Sequence, residues 1–323
     1  MGVTMLLYLL AIVAGLAVLV WSADKFIDGA ATLAKHLGVS ALLIGIIIVG
    51  FGTSAPEITV SIISALENRP ELALGNAYGS NIANIALILG LTALIGTIAV
   101  QSDVLRRELP ILLGATIFGV VLLLDGSLSR LDGILLLAVL AGYMGYSIWR
   151  ARKGNADHLI EEVEHEMAEH NMTKAQSIFW IVLGLVLLIA SSRALVWGAV
   201  GVAEAFGVSE LIIGLTVVAI GTSLPELVSS IVAARKGEYD MVLGNIIGSN
   251  FFNMLAVVGI AAMIQPMAVG QEVLQRDVPI MVGITVLLFA ICWIFKAVNR
   301  YAGMGFVAIY VGYTLWLINT AAA

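Results

Sequence analysis

The chain has 323 residues, of which 60% are hydrophobic and 12% charged, with a net charge of −6 and a mean hydropathy of +1.03. A soluble domain is only about 45–50% apolar, so this composition excludes a water-soluble globule and indicates an integral membrane protein. The single cysteine excludes a disulfide framework, and sixteen scattered basic residues exclude a nucleic-acid-binding surface.

Ten apolar stretches follow one another along the chain, each bounded by charged or turn-forming residues. None alternates with a period of two, so they are typical of membrane-spanning helices of about 20 residues and not of barrel strands. The first stretch lacks the basic start of a signal peptide, and we expect it to be retained. The sequence therefore predicts an all-α polytopic membrane protein. The predicted spans cover residues 3–22, 40–66, 72–100, 107–124, 131–149, 176–200, 208–234, 241–264, 278–296 and 301–319.

Lys and Arg are distributed unevenly between the predicted loops. Twelve of the sixteen follow odd-numbered spans, and three follow even-numbered ones. By the positive-inside rule, this bias predicts that both termini lie outside the cytoplasm. The extended hydrophilic segment, residues 151–175, is then cytoplasmic. We interpret its glutamate-rich middle as a solvated linker, with a regulatory cation sensor as the alternative.

The two halves of the chain repeat each other. GTSAPE at 52–57 recurs as GTSLPE at 221–226, and GNAYGSN at 75–81 recurs as GNIIGSN at 244–250, both at a shift of 169 residues. Each half contains five predicted spans, and an odd number makes the second half cross the membrane in the opposite sense. The sequence thus predicts two inverted five-helix repeats, residues 1–150 and 176–323, an arrangement typical of secondary transporters with a mid-membrane site.

Each repeat places one acidic residue deep inside a span, Glu57 in the first half and Glu226 in the second. An ionisable group at that depth costs at least about 2.5–3.5 kcal/mol, so it is either paired or kept for function. No Lys or Arg lies within the second, third, seventh or eighth predicted span. We therefore expect the two acids to bind a mobile cation. A protonated, hydrogen-bonded structural acid is the alternative.

Oxygen-bearing groups surround both acids in the sequence. Pro56 and Pro225 cannot donate to the carbonyls of Gly52 and Gly221, which are thereby released. Carbonyl, amide, hydroxyl and carboxylate oxygens suit hard cations such as Ca²⁺ and Na⁺. Side-chain oxygens recur at matching positions of the two halves, namely Thr53, Ser54, Asn76, Ser80 and Asn84, then Thr222, Ser223, Asn245, Ser249 and Asn253.

Some of these polar residues and nearby glycines also have structural interpretations. We interpret the GxxxG pairs at 75–79 and 244–248 as sites of close helix packing. Hydroxyl groups in membrane helices often bond back to helix carbonyls. Asn76 and Asn81, with their equivalents in the second half, fit interhelical hydrogen-bond clamps as well as they fit ligands.

The paired motifs resemble the alpha-repeats of the sodium/calcium exchanger family, in the calcium:cation antiporter superfamily, and the resemblance to its short prokaryotic members covers essentially the whole chain. It implies that residues 3–35 and 176–205 form a gate that slides against a central core. It also implies an ion site built from Thr53, Ser54, Glu57, Ser80, Asn84, Thr222, Ser223, Glu226, Ser249 and Asn253, with the carbonyls of Gly50 and Ala219.

By this resemblance the protein is an antiporter that exchanges Ca²⁺ for Na⁺ by alternating access in a plasma membrane, such as a bacterial inner membrane. It is then not an enzyme, and it needs no cofactor and no obligate protein partner besides the lipid bilayer. Family members often carry an aspartate where this chain has Asn253, so its two carboxylates neutralise one Ca²⁺ or two Na⁺.

Two other functions remain open at the level of the sequence. A Ca²⁺/H⁺ antiporter is one, because a low-dielectric site favours the protonated form of a carboxyl group. A cation channel is the other, since rings of acidic residues line such pores. The inverted repeat and the single pair of acids favour a carrier over a channel.

Overall fold

The computed structural model describes residues 2–68, 70–153, 172–207 and 219–321, and most of them are helical. The first half contains α1 (Gly2–Leu37), α2 (Ala41–Thr53), α3 (Ala55–Leu66), α4 (Glu71–Ile95), α5 (Leu109–Val121, after a π-helical turn at Val104–Glu108) and α6 (Arg130–Lys153). The second half contains α7 (Lys174–Ala205), α8 (Ala219–Thr222), α9 (Leu224–Arg235), α10 (Tyr239–Ile264), α11 (Val273–Phe295) and α12 (Arg300–Ala321).

Many of these helices match the predicted spans. Seven of them, α1, α4, α6, α7, α10, α11 and α12, are long and apolar enough to cross a membrane, and α2 with α3 forms an eighth candidate bent by 44°. The structure is therefore that of a helical membrane protein. The count of ten spans stays a prediction, because α5 has only 13 residues and residues 208–218 lie outside the described part of the chain. Most of the predicted linker also lies outside it.

Helix α1 is much longer than its predicted span, which ended at residue 22. It continues to Leu37 and ends where Gly38 takes a positive φ of 61°, the usual C-terminal signal of a helix. Helix α1 packs along α7, and glycines allow the close approach: a Cβ on Gly198 would lie 2.6 Å from the carbonyl oxygen of Tyr8. The two helices thus form a pair beside the rest of the bundle.

Helices α4 and α10 form the buried centre of the molecule. Helix α10 packs backbone to backbone against α2, since a Cβ on Gly244 or Gly248 would lie 2.5 Å from a carbonyl oxygen of α2. This contact confirms the close-packing interpretation for the GxxxG pair at 244–248. It is not confirmed for the pair at 75–79, because a Cβ on Gly75 or Gly79 would meet no described atom within 4 Å. The contact at 244–248 also brings the polar face of α10 against the helix that precedes Glu57.

Four two-residue strands, which the sequence did not predict, connect the halves outside the helices. Strand β1 (Ile98–Ala99) pairs antiparallel with β4 (Ala297–Val298), and β2 (Ser127–Leu128) pairs with β3 (Met267–Ala268). Each pair joins one strand from the first half to one from the second. The strand pairs therefore tie helix ends of the two halves together.

Candidate ion-binding site

The two buried glutamates follow breaks in their helices. Ser54 interrupts the path from α2 to α3 with φ −83° and ψ 4°, and Ser223 interrupts α8 and α9 with φ −92° and ψ 8°. A proline near the start of each following helix fits there, because the first turn does not need its N–H. Glu57 and Glu226 consequently lie in the first turn of α3 and of α9, where the helix dipole favours a negative charge.

Glu57 and Glu226, one from each half, both lie buried in the interior of the molecule. Each is only 1% exposed, and the hydroxyl of Ser54, in the first half, donates to Oε1 of Glu226 at 3.3 Å. Among the described residues, no ion pair involves either glutamate. Within the described ranges the protein therefore supplies no cationic side chain that would balance their charge.

Several buried oxygens around the acids lack a hydrogen-bond partner within the described ranges. They are both carboxylate oxygens of Glu57, Oε2 of Glu226, Oγ of Ser223 and the amide oxygens of Asn84 and Asn253. A buried polar group without a partner costs about 1–3 kcal/mol, so such groups are rare in proteins. Oxygens of these types are the ligands that Ca²⁺ takes. The donor set therefore fits a hard cation as substrate.

Thr53, Ser249 and Gly50, also expected as ligands, bond to the protein. The Thr53 hydroxyl lies 2.9 Å from the carbonyl of Val49 and 3.1 Å from Oδ1 of Asn245. The Ser249 hydroxyl donates to the carbonyl of Gly50 at 3.4 Å, and that carbonyl also accepts from the backbone of Ser54 at 3.2 Å. These groups border the partnerless oxygens and already connect α2 to α10.

Asn76 and Asn245 make the same two contacts in the two halves. The side-chain amide of Asn76 donates to the carbonyl of Glu57 at 3.3 Å, and that of Asn245 donates to the carbonyl of Glu226 at 3.2 Å. Each amide also donates to a serine one turn later, at 3.5 Å and 2.9 Å. The clamp interpretation is confirmed for this pair, which holds the helix that carries each acid.

A second asparagine contact crosses between the halves. The amide of Asn84, an expected ligand, donates to Oδ1 of Asn250 at 3.2 Å, while the amide of Asn81 contacts the sulfur of Met281 at 3.7 Å. The sequence indicates Asn250 only as a clamp, as the equivalent of Asn81 in the second repeat. Its contact with the expected ligand Asn84 was not predicted. Because the amide nitrogen of Asn84 is used in this contact, its amide oxygen is the atom of that side chain that could bind a cation.

The other expected ligands lie on the same helices. Ser80 is buried on α4, and Thr222 is half-buried at the end of α8. Ala219 is the first residue of α8. The carbonyl of Gly221, which we expected to be free, instead accepts from Ser192 of α7 at 3.0 Å.

A crevice of about 390 Å³ lies next to this region, between α7 on one side and α3 and α8 on the other. It borders Pro56, which precedes Glu57, and Thr222, which precedes the break at Ser223. Its lining includes Pro56, Val60, Arg193, Val196, Trp197 and Thr222.

Comparison with known proteins identifies the family. The family model described as "Sodium/calcium exchanger protein" matches residues 7–149 and 176–319. The chain belongs to the sodium/calcium exchanger family. Members of this family are membrane antiporters rather than enzymes, and the ions that they carry are substrates that need no cofactor.

Relatives of this exchanger-family protein match over nearly their whole length. It is 42% identical to "Putative antiporter CaxA" of Alkalimonas amylolytica, over 98% of this chain and 100% of that protein. It is 38% identical to "Inner membrane protein YrbG" of Escherichia coli, over 97% and 96%. A solved structure of the sodium-calcium exchanger NCX_Mj, soaked with zero Na⁺ and Ca²⁺, matches with a TM-score of 0.84 and 30% identity over 97% and 99% of the chains.

Proposed function

We propose that this protein exchanges Ca²⁺ for Na⁺ across the membrane by alternating access. The observation that carries the proposal is the burial of Glu57 and Glu226, one from each half, among partnerless oxygens and with no fixed cation paired to either in the described part of the chain. The relative named "Sodium/calcium exchanger MaX1" of Methanosarcina acetivorans, 30% identical over 95% of this chain and 97% of its own length, supports the choice of ions.

Charge neutrality explains why such a site exchanges ions instead of leaking them. Two ionised carboxylates shut away from water carry a desolvation cost of several kcal/mol each. One Ca²⁺ or two Na⁺ cancels their charge. A loaded site can therefore close on one side of the membrane and reopen on the other, whereas an empty ionised site cannot. The site must consequently carry one kind of ion in each direction.

The proposed architecture has ten spans in two inverted repeats, residues 1–150 and 176–323, joined by a cytoplasmic linker at 151–175. One shift of 169 residues relates the helix breaks at Ser54 and Ser223 and the clamps Asn76 and Asn245, which supports the repeat. The loop charges support termini outside the cytoplasm. The Escherichia coli relative, named an inner membrane protein, supports a bacterial plasma membrane.

Helices α1 and α7, called the gate helices from here on, are the parts proposed to move. They pack on each other, and the crevice beside the site lies between α7 and helices α3 and α8. Their contact with the site includes the hydrogen bond from Ser192 to Gly221. Movement of the gate helices against the core would open the site alternately at the two ends.

Ca²⁺ uptake into vesicles that contain the purified protein tests the proposal. We expect an outward Na⁺ gradient to drive uptake and a pH gradient of equal size to leave it unchanged. Vesicles with the Glu226→Gln variant distinguish carrier flux from leak. Uptake that follows the pH gradient and ignores Na⁺ contradicts the proposal and shows a Ca²⁺/H⁺ antiporter instead. Passive Ca²⁺ flux without any counter-ion shows a channel.

A further inference from the structure

Helices α3 and α9 end in the same way but with opposite charges. Glu67 caps the C-terminus of α3, and Lys236, its equivalent at the 169-residue shift, caps that of α9. Each is followed by a residue with positive φ, Asn68 at 59° and Gly237 at 79°. The two charged residues therefore occupy equivalent positions at the ends of equivalent helices.

The end of the molecule near Lys236 is closed by ion pairs. The Lys236 ammonium lies 2.7 Å from Oδ1 of Asp24 on α1 and also pairs with Asp28 one turn later. These contacts join a gate helix to a core helix. Ser229, on α9 two turns before Lys236, is completely buried.

The matching end of α3 is open. The shift that relates Glu67 to Lys236 also relates Arg193 of α7 to Asp24, so the pair Glu67–Arg193 repeats the pair Lys236–Asp24 with both charges reversed. Arg193 lines the crevice beside Val60, which is 36% exposed. Glu67 and Arg193 are both exposed, and within the described ranges neither makes an ion pair or a side-chain hydrogen bond.

The stability of the helices does not explain why Glu67 and Arg193 carry charges at these positions. A carboxylate at a helix C-terminus faces the negative end of the helix dipole, which costs about 0.3–1 kcal/mol. Arg193 is exposed on α7, a helix long and apolar enough to span a membrane, and charged residues in such helices usually have a partner or a functional role. Glu67 and Arg193 therefore require a role outside the conformation that this structure shows.

We propose that Glu67 and Arg193 form an ion pair that closes the crevice in the opposite conformation, in which the pair between Lys236 and Asp24 separates. Val60 and Glu67 lie seven residues apart and face the same side of α3, about 10 Å along its axis. Movement of α7 toward α3 would bring Arg193 from the crevice to Glu67. The two pairs act as alternating latches on the gate helices, and this inference rests on the proposed alternating-access mechanism.

Maleimide labelling at two equivalent positions reports which end is open. The Val60→Cys variant reports the crevice end, and Ser229→Cys reports the Lys236 end, since residues 60 and 229 are related by the same shift. Both are made in a Cys292→Ala background, because Cys292 is the single native cysteine. The protein is held in lipid nanodiscs, where the reagent reaches both ends, and the rate of modification is measured.

We expect opposite shifts from the two latches. Lys236→Gln should raise the labelling rate at Ser229→Cys and lower it at Val60→Cys, about threefold to fivefold, which is the scale of a partly exposed ion pair. Glu67→Gln and Arg193→Gln should each do the reverse. The combined charge reversal, Glu67→Arg with Arg193→Glu, should restore the original rates. Glu71→Gln, at an exposed glutamate of α4, is the matched control and should change neither rate.

Three results would overturn the inference. They are unchanged labelling in the Glu67 and Arg193 variants, shifts of the same sign for both latches, and failure of the combined reversal to restore the rates. An Arg193→Gln variant that loses yield without a labelling shift would indicate a membrane anchor instead. Labelling does not depend on which ions are carried. Ca²⁺ uptake by the unmodified protein, measured in parallel, therefore shows separately whether the proposed exchange fails.

Discussion

The two halves of the molecule carry the same motif, but they hold their glutamates differently. Glu226 accepts a hydrogen bond from Ser54 of the other half, whereas neither carboxylate oxygen of Glu57 has a partner within the described residues. In the proposed site, Glu226 would be held before an ion arrives, while Glu57 could adjust to the ion that enters. The repeat would then produce a site that is symmetric in its proposed ligands and asymmetric in its rigidity.

The largest predicted effect comes from removing either charge. Glu57→Gln and Glu226→Gln should each lower Ca²⁺ uptake by about 100-fold or more, because one negative charge cannot balance a divalent ion and about 3 kcal/mol corresponds to 100-fold. Radioactive Ca²⁺ flux measures this loss, with Glu71→Gln as the exposed control. If only one of the two variants loses activity, only one glutamate binds the ion, and the proposal that both halves contribute an acid to the site is wrong.

The two clamps should differ in strength. Asn245 accepts from Thr53 in addition to its two donated bonds, while Asn76 makes only the donated pair among the described residues. We therefore expect Asn245→Ala to lower the free energy of unfolding by about 2 kcal/mol and Asn76→Ala by about 1 kcal/mol. Thermal unfolding in detergent measures both. Equal losses would mean that the additional contact contributes nothing.

The smallest predicted effect separates the two serines at the helix breaks. Ser54→Ala removes a hydrogen bond to a carboxylate and should weaken the apparent Ca²⁺ affinity about tenfold. Ser223 has no bonded side-chain partner in the described part of the chain, so Ser223→Ala removes one neutral ligand and should weaken the affinity only about threefold. Competition with a Ca²⁺ dye measures both values. A larger effect for Ser223→Ala would contradict the inference that Glu226, held by Ser54, is the more rigid of the two acids.

The sequence located the acids well because their surroundings are local. Proline and glycine determine where α2 and α8 stop, so the breaks before Glu57 and Glu226 follow from a few neighbouring residues. Comparison of the halves then placed equivalent side chains at equivalent depths. The glycine pair at 244–248 was interpreted correctly as a site of close packing, but the same motif at 75–79 has no such contact among the described residues.

Contacts between distant parts of the chain could not be predicted in the same way. The bonds from Ser54 to Glu226 and from Asn84 to Asn250 join residues that are more than 160 positions apart, and their pairing depends on how the helices are rotated. The first predicted span also ended too early, at residue 22, because it was placed by apolar residues alone. Helix α1 continues through charged residues to Leu37, and one of these, Asp24, pairs with Lys236 on α9.

Ca²⁺ binding to the purified protein tests most directly whether the halves build one site together. Isothermal titration in Na⁺-free buffer should give one Ca²⁺ per chain for the unmodified protein. It should give no measurable binding in the same concentration range for Glu57→Gln and for Glu226→Gln. Two bound Ca²⁺ in the unmodified protein, with one retained in each variant, would contradict a shared site and show that each half binds its own ion.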